Sequence, residues 1–190
     1  MEKKRCWGGK DQLACTYHDE EWCVAVYDDK VLFEFLILEG AQAGLNWMTI
    51  LRRREGYRAA FDDFDYNKIA QYDQKKIDLL LQDEGIIRNK LKVQSAVLNA
   101  KIFIEIQQEF GSFSKYLWDY VDNKPIMNYY CSWKEVPTKT ELSDKISKDL
   151  KKRGMKFVGS TIIYAYLQAV GVVNDHLTTC FRHKEIIDGI

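Results

Sequence analysis

The distribution of proline is the strongest constraint on how this chain can fold. Only two prolines, Pro125 and Pro137, occur in 190 residues, and both lie in one stretch. Because proline interrupts a helix interior, the segments on either side of that stretch can form long helices. Cap-forming residues precede segments with helical apolar spacing at Asp28, Asn46, Asp65, Asp73, Ser112 and Ser143. No sustained period-two alternation indicates a sheet, so the pattern predicts an all-α fold.

Composition favours one domain with a substantial core. The hydrophobic fraction of 46% is ordinary for a globular protein of this length. Lys+Arg and Asp+Glu balance at 28 each, so overall charge predicts no polyanionic partner. A local basic face can still exist, and residues 52–54 and 148–153 are the candidates. The chain has no apolar run of about 18 residues and no signal-type N-terminal run, so we expect no membrane partner.

The cysteines and histidines suggest a metal site. The chain has five cysteines, an odd number without a secretory signal, which favours metal ligation or burial over disulfides. His176 and Cys180 are four residues apart, which predicts that they share a helical face, and Cys6 with His18 forms a second pair. Cys15 competes with Cys6 for that role. Two Cys and two His make a closed, structural zinc set, although a Cys and a His can share a helix face by chance.

Glu39 is the most unusual polar residue of the chain. It lies in residues 32–47, a segment that is otherwise mostly apolar or small. Burial of a carboxylate without a partner is costly, and the small residues 40–44 leave it poorly covered. With Trp47 nearby, the arrangement suits a flat ligand that carries N–H donors or positive charge. The alternative is a helix carboxylate satisfied by a backbone N–H or an arginine, with the tryptophan in the core.

A turn between two predicted helices is a possible phosphate anchor. Residues 79–90 form a helical segment, a turn containing Gly85, and the start of a second helix, with Arg88 and Lys90 just beyond the turn. Such a hairpin can present backbone N–H groups and a helix N-terminus to phosphate. Most joints of this kind are plain helix–helix connections.

Several motifs together resemble the bacterial DNA-3-methyladenine glycosylase I family, and the resemblance covers nearly all of the chain. The matching stretches are Arg5-Cys6-Trp7, Tyr17-His18-Asp19-Glu20-Glu21-Trp22, residues 28–34, residues 38–47 with Thr49-Ile50-Leu51, Gly85-Ile86-Ile87-Arg88-Asn89, Glu109-Phe110-Gly111-Ser112-Phe113, residues 147–154, Phe157-Val158-Gly159-Ser160-Thr161 and Val173-Asn174-Asp175-His176.

The resemblance implies an all-helical helix–hairpin–helix DNA glycosylase fold with a zinc-stapled lobe formed by both chain ends. The whole chain, 1–190, would be one glycosylase domain. One lobe would span about 30–121, with the helix–hairpin–helix near 79–96, and the other about 1–29 and 122–190. The family's structural zinc ligands map onto Cys6, His18, His176 and Cys180.

The resemblance also implies an active site. Its base pocket maps onto Glu39, the catalytic candidate, and onto the base-binding residues Tyr17, Trp22 and Trp47. The DNA-binding candidates are Gln42, Gly44 and Leu45, which would fill the gap left by an extruded nucleotide, and Gly85, Ile87 and Arg88 of the hairpin.

The implied function is base-excision repair by a monofunctional enzyme. It would flip 3-methyladenine out of double-stranded alkylated DNA, hydrolyse its N-glycosidic bond and release the free base, as a monomer in a bacterial cytoplasm. Two alternatives remain: a zinc-containing helical DNA-binding module without excision activity, and a glycosylase with a broader alkylpurine range.

The chain departs from the family pattern in three informative places. Cys23 stands where the family usually has glycine, Ala25 where it has proline, and Ala14 where it has an aromatic residue. We expect these changes to affect the shape of the pocket and the strength of catalysis, but not the fold.

Overall fold

The computed structural model describes residues 3–189 of the chain. Within that range the structure is mostly helical. The α-helices are α1 (Gln12–Glu20), α2 (Asp29–Gln42), α3 (Trp47–Leu51), α4 (Arg54–Ala60), α5 (Tyr66–Ile69), α6 (Gln74–Leu80), α7 (Lys90–Phe110), α8 (Phe113–Trp118), α9 (Glu141–Lys152), α10 (Ser160–Ala169) and α11 (Phe181–Asp188). Two 3-10 turns, Asp62–Phe64 and Asp119–Val121, precede α5 and follow α8.

Five of the six predicted caps are confirmed. Each accepts a hydrogen bond from a backbone N–H of the first helical turn, which satisfies a group the helix cannot pair itself: Asp28, Asn46, Asp65, Asp73 and Ser112. The sixth is wrong. Thr140 caps α9, and Ser143 is the third helical residue, where its hydroxyl accepts from the Thr140 N–H at 2.9 Å. The two side chains form a reciprocal capping box.

A short pairing of strands departs from the all-α prediction. Strands β1 (Ile126–Met127) and β2 (Val173–Asn174) pair in parallel, with Ile126 opposite Val173 and Met127 opposite Asn174. Two residues per strand are too few to produce a readable alternation in the sequence. The pairing joins the proline-containing segment to the segment that carries His176.

The predicted helical face for His176 and Cys180 is wrong. Both lie between β2 and α11, and Cys180 is the N-cap residue of α11. The spacing of four was compatible with a helix, but here it spans a turn in which the Cys180 N–H donates to the Leu177 carbonyl at 2.7 Å. Helix α10 starts at Ser160, three residues after Phe157, which takes a φ of 55°.

Helix α2 is the centre of the core. Its residues from Leu32 to Ala41 are all buried, and it packs against α3, α7, α8 and α10. One apolar cluster includes residues from Tyr17 to Val173. It does not mark where one lobe ends and the other begins, so the lobe boundaries stay a prediction. None of the helices in residues 3–189 is long and apolar enough to cross a bilayer.

Gly171 permits a close approach that positions the N-terminal segment. It has a φ of +71°, and a Cβ there would lie 2.3 Å from the carbonyl carbon of Val24. Glycine is therefore required both by conformation and by space. The contact holds the segment after Trp22 against the end of α10, where the Cys23 N–H donates to the Gln168 carbonyl at 2.9 Å.

Candidate functional site

A cavity of about 310 Å³ opens between the N-terminal segment, α2, α3 and α10. It brings together all four residues predicted for the base pocket, Glu39, Tyr17, Trp22 and Trp47. Five further residues line it: Trp7, Gln42, Trp133, Ala165 and Gln168. Of these five, only Gln42 belonged to the predicted site, and it was assigned to DNA rather than to the pocket.

Aromatic rings form most of the cavity wall. Tyr17 and Trp47 have centroids 5.3 Å apart, and Trp7 lies 5.4 Å from Trp22 in an edge-on arrangement. Trp133 completes the wall at 6.1 Å from Trp22. Offset and edge-on packing holds aromatic rings in fixed orientations. The wall can therefore present ring faces to a flat ligand without rearrangement.

Glu39 is a buried carboxyl group at the edge of this wall. Its side chain is only 4% exposed, and its Oε2 atom is buried without a hydrogen-bond partner among residues 3–189. Burial raises the pKa of Glu39 to about 8. The alternative in which a backbone N–H or an arginine satisfies this oxygen is therefore wrong. A buried carboxyl group without a partner is a common property of ligand sites.

The pocket holds a second unpaired polar atom. The indole Nε1 of Trp47 is buried and donates no hydrogen bond within the described residues. Tyr17 is also buried, and burial followed by the nearby Glu39 raises the pKa of its hydroxyl. The Glu39 Oε2 atom as an acceptor and the Trp47 Nε1–H group as a donor are thus both available to a ligand in the cavity.

The position of Glu39 follows from the last turn of α2. Lys92 of α7 donates from Nζ to the carbonyls of Ala41 and Ala43, both at 2.7 Å, and so satisfies orphan groups at the helix end. Gly40 packs closely against Phe157, because a Cβ added at Gly40 would lie 3.3 Å from the Cβ of Phe157. These contacts fix the turn that aims Glu39 at the cavity.

The raised pKa makes a prediction about stability. For a carboxyl group whose pKa is higher in the folded state, the contribution to the free energy of unfolding is most favourable below pH 4.5, the ordinary pKa. That contribution is lost as the pH rises through about 8. Between pH 5 and pH 8.5 we expect Glu39→Gln to gain about 4 kcal/mol of unfolding free energy relative to wild type. Denaturant unfolding at both pH values measures this change. Glu20→Gln, on the exposed face of α1, is the control, and an equal pH dependence for wild type and Glu39→Gln would contradict the assignment.

A second cavity of about 180 Å³ adjoins the first and shares Glu39, Gln42 and Ala165 with it. The loop after α2 forms its other side and includes Gly44 and Leu45. Gly44 has a φ of +75°, which favours glycine, and Leu45 is 41% exposed. The three predicted loop residues therefore lie at the mouth of the pocket, with an apolar side chain open to solvent.

The predicted hairpin connects α6 and α7 and packs on α4. A Cβ on Gly56 would lie 2.4 Å from the Gly85 carbonyl oxygen, so this contact requires a helix residue without a side chain. The Ile87 N–H donates to the Tyr57 hydroxyl at 3.2 Å. Arg88 is exposed and lies 3.7 Å from Glu84. The turn is thus held on α4 while Arg88 remains open to solvent.

In each of the two basic runs, one arginine is held by acidic side chains. Arg54 is buried and pairs with Glu34 and Glu21, each at 2.6 Å. Arg153 is held by Glu109 at 2.6 Å and by Asp149 at 2.7 Å. Both arginines therefore have structural partners, and neither is available as a free phosphate contact.

Four predicted metal ligands lie together behind the aromatic wall. The ligand atoms of Cys6, His18, His176 and Cys180 are all within 4.8 Å of one another. Each sulfur lies 3.3–3.6 Å from each ligating imidazole nitrogen. Sulfur and nitrogen ligands of a tetrahedral zinc ion are about 3.6 Å apart, given bond lengths of about 2.3 and 2.0 Å. The cluster therefore fits a closed four-ligand site.

The outer hydrogen bonds orient both histidines for ligation. His18 Nδ1 lies 2.8 Å from the Asp19 carboxylate, and His176 Nε2 lies 3.2 Å from the Trp22 carbonyl. Because both partners are acceptors, these nitrogens carry the protons, and His18 Nε2 and His176 Nδ1 keep free lone pairs toward the two sulfurs. The hydrogen bond from Cys6 lowers the pKa of the Cys180 thiol, which favours the thiolate form that a metal ion requires.

The alternative ligand Cys15 is outside the cluster. It is buried, and its thiol donates to the Gly9 carbonyl at 3.6 Å. The cluster also contacts the pocket: His18 lies 5.2 Å from the Trp7 ring, and His176 lies 4.6 Å from the Trp22 ring. The Trp133 indole donates to the Cys6 carbonyl at 3.0 Å.

None of the three departures from the family pattern is among the residues that line the pocket. Cys23 takes a φ of 64°, a conformation that favours glycine, and its sulfur accepts the Asp175 N–H at 3.4 Å. Ala14 is buried on α1 and is not among the residues lining the pocket. The expected effect of Ala14 on the shape of the pocket stays a prediction. Ala25 is exposed and lines a separate cavity beside Gly171.

Comparison with known proteins agrees with the fold and the site. The family described as methyladenine glycosylase matches residues 7–183. DNA-3-methyladenine glycosylase 1 of Escherichia coli strain K12 is 45% identical over 178 residues, covering 93% of this chain and 95% of that protein.

Solved structures give the same result. A crystal structure of 3-methyladenine DNA glycosylase I superposes with a TM-score of 0.91 at 46% identity, covering 94% of this chain and 98% of that one. A tyrosine-to-phenylalanine variant of a 3-methyladenine DNA glycosylase I, in complex with 3-methyladenine, has a TM-score of 0.90 at 38% identity, with 93% and 95% covered. The helical fold and the Glu39 cavity thus occur in a chain that belongs to the methyladenine glycosylase family.

Proposed function

We propose that this chain is a monofunctional DNA-3-methyladenine glycosylase. It flips 3-methyladenine out of double-stranded alkylated DNA, hydrolyses the N-glycosidic bond and releases the free base, acting as a monomer in a bacterial cytoplasm. The single observation that carries the proposal is Glu39, a buried carboxyl group without a partner beside an aromatic cavity, in a chain of this family.

Charge distinguishes the damaged base from an undamaged one. Methylation at N3 leaves the adenine cationic, and a cation on the faces of Trp47 and Tyr17 gains about 0.5–2 kcal/mol per contact. Glu39 accepts from the exocyclic amine, and a hydrogen bond to a carboxylate is roughly twice as strong as a neutral one. In the free protein burial favours the protonated form, with a pKa of about 8. The cationic base would therefore displace the Glu39 proton as it binds.

Bond cleavage needs little help from a general base. The cationic base is already an activated leaving group, so the protein must bind it and admit water to C1′. The acidic candidates on α7 are poorly suited to activate that water: Glu105 is exposed, and Glu109 is held by Arg153 at 2.6 Å. Catalysis therefore relies on binding of the activated base, with Glu39 as the residue that selects it.

The DNA is held at two places. Extrusion of a base costs a few kcal/mol and leaves a gap in the duplex. Gln42, Gly44 and Leu45, at the mouth of the pocket, fill that gap. The hairpin residues Gly85, Ile87 and Arg88 form the surface that anchors a phosphate, and the exposed Arg88 side chain supplies the charge. The Gly85 and Ile87 N–H groups already donate to the Asp83 carboxylate and the Tyr57 hydroxyl.

Zinc is the metal that suits the Cys2His2 cluster. Four protein ligands leave no open position for water, so the ion is structural and takes no part in hydrolysis. Its ligands Cys6, His18, His176 and Cys180 join the two chain ends. Through Trp7, Trp22 and Trp133 they also support the pocket wall.

Removal of the Leu45 side chain should affect excision from duplex DNA selectively. Leu45→Ala leaves unfilled the gap that the extruded base creates in the duplex. We expect release of 3-methyladenine from a duplex to fall about 3- to 10-fold, because the contacts of the Leu45 side chain no longer offset part of the free-energy cost of extrusion. Release from single-stranded DNA should stay unchanged. Leu98→Ala, at a residue that is 37% exposed on α7 beyond the hairpin segment, is the matched control. An equal loss on both substrates would contradict the gap-filling role.

Release of the free base separates the two alternatives from the proposal. Wild-type protein is incubated with methylated duplex DNA, and free 3-methyladenine and 7-methylguanine are measured by chromatography. We expect 3-methyladenine in large excess. Duplex binding without any free base would support the non-excising DNA-binding module. Comparable release of both bases would support the broader alkylpurine range.

A further inference from the structure

We propose that Gln168 is a specificity-determining residue that recognises the 6-amino group of the bound purine, and that Asp175 fixes its orientation. Its side-chain carbonyl would be a second acceptor beside Glu39, which distinguishes a 6-amino purine from a 6-oxo purine. The inference rests on the proposed function, because it assigns a further recognition group to the same pocket.

Gln168 is a polar residue of the cavity wall. The roles proposed for Glu39 and the aromatic residues do not account for it. It lies near the end of α10 and lines the same cavity as Glu39. Its backbone is fixed as well, because its carbonyl accepts the Cys23 N–H at 2.9 Å, one residue after Trp22. The side chain therefore projects from a rigid position.

Asp175 determines which end of the Gln168 amide is free. The Gln168 Nε2 donates to Asp175 Oδ2 at 2.7 Å. Asp175 is completely buried and also accepts from the Tyr164 hydroxyl at 2.5 Å and from Asn128 Nδ2 at 2.6 Å. Reversal of the amide would place the Gln168 carbonyl against a carboxylate that already acts as an acceptor. Such a pair of acceptors is unfavourable in a buried site, so the NH2 group stays on Asp175.

The carbonyl oxygen of Gln168 is left for a ligand. Within residues 3–189 Oε1 accepts no hydrogen bond, and this atom is not among the buried polar atoms that lack a partner. It is therefore both unpaired and accessible. The residues that line the cavity thus include two that each have an acceptor oxygen without a partner, Glu39 on α2 and Gln168 on α10.

Two acceptors discriminate by the group at C6 of the purine. The amino group of a cationic adenine has two N–H donors and can satisfy both. The oxygen of a 6-oxo purine has lone pairs only, and it leaves both acceptors unpaired. An unsatisfied buried acceptor is costly, so the site rejects guanine lesions even where N3-methylation gives them the same positive charge.

The test compares two N3-methylated purines. The affinities of the purified zinc-containing protein for free 3-methyladenine and free 3-methylguanine are measured by calorimetry. This readout does not require excision. In Gln168→Met, which keeps the length of the side chain without its amide, we expect the affinity ratio of the two bases to fall at least fivefold. Asn128→Ala removes a different donor to Asp175 and is the matched control, with an unchanged ratio.

Asp175→Asn tests the positioning role. Its side-chain NH2 can donate to the Gln168 carbonyl and reverse the amide, so the ratio should fall as in Gln168→Met. In the double variant it should fall no further. A wild-type ratio in Gln168→Met overturns the proposal. If Asp175→Asn alters the ratio in the Gln168→Met background, Asp175 does not act through Gln168. Zinc content and thermal unfolding verify the fold of each variant.

The proposed function can fail separately from this inference. Absence of base release from methylated duplex by wild-type protein would refute the glycosylase activity, while the two free-base affinities would still decide the role of Gln168.

Discussion

Replacement of Glu39 by glutamine is expected to lower kcat/KM for excision of 3-methyladenine from duplex DNA by about 10- to 100-fold. A hydrogen bond to a charged group contributes about 1.5–3 kcal/mol, and glutamine retains the shape of the side chain but not its charge. The Glu39 carboxyl group has no competing partner for Oε2 among the described residues, so it can ionise against the cationic base as that base binds. Its loss should therefore act directly on recognition of the cationic base.

The pH dependence gives this prediction a second readout. Burial raises the pKa of Glu39 to about 8, and a base with a fixed positive charge binds the ionised form. For wild type, kcat/KM should rise with pH and level off above about 8, whereas in Glu39→Gln this rise should be absent. Single-turnover base release between pH 5.5 and pH 9, corrected for spontaneous depurination, measures both profiles.

The matched control is Glu105→Gln. Glu105 is exposed on α7, and its replacement should leave the rate and the pH profile unchanged. A Glu39→Gln variant with wild-type rate and selectivity would show that Glu39 has been assigned the wrong role. A large loss in Glu105→Gln would instead show that a general base on α7 takes part in hydrolysis.

Loss of the metal site is the second large effect we expect. Cys180→Ala removes one of four ligands in the cluster, and zinc binding to a structural site contributes directly to the free energy of folding. For a chain of this length we expect the Tm to fall by about 10 °C or more. Metal analysis should find one zinc per wild-type chain and none in the variant.

The contacts of the cluster predict a functional consequence. His176 and His18 pack on Trp22 and Trp7, so loss of zinc should also weaken binding of 3-methyladenine. Cys15→Ala, which changes a buried cysteine outside the cluster, is the control and should retain one zinc. Full stability in Cys180→Ala, or zinc in wild type at much less than one per chain, would contradict a structural zinc site.

Local features of the fold could be predicted from the sequence because their causes are local. Asp28, Asn46 and Asp65 cap helices through backbone groups two or three residues away. The exception is informative. Thr140 and Ser143 are both residue types that favour the N-cap position, so the sequence alone did not show at which of them α9 begins.

The site could be predicted only in part. Glu39 was identified from its own apolar neighbours, and the resemblance supplied its partners. Trp133 and Gln168 were missed because only tertiary packing brings the proline-containing segment and the end of α10 to the pocket. A tryptophan in the segment between the two prolines was the available sequence signal for Trp133, because exposed aromatic residues often mark binding sites.

The metal ligands illustrate a different limit. The spacing of His176 and Cys180 suggested a helical face, but the pair lies on a turn that leads into α11. A spacing of four is compatible with several backbone conformations, so it could not identify the local structure. The choice of Cys6 over Cys15 likewise came from the resemblance rather than from spacing.

The most direct test of the account is a crystal structure of this protein with 3-methyladenine. We expect the base in the 310 Å³ cavity, in contact with the rings of Trp47 and Tyr17, with its amino group within hydrogen-bond distance of a Glu39 carboxylate oxygen. A base bound elsewhere, or one in the cavity with Glu39 still unpaired, would contradict the claim that this carboxyl group selects the damaged base.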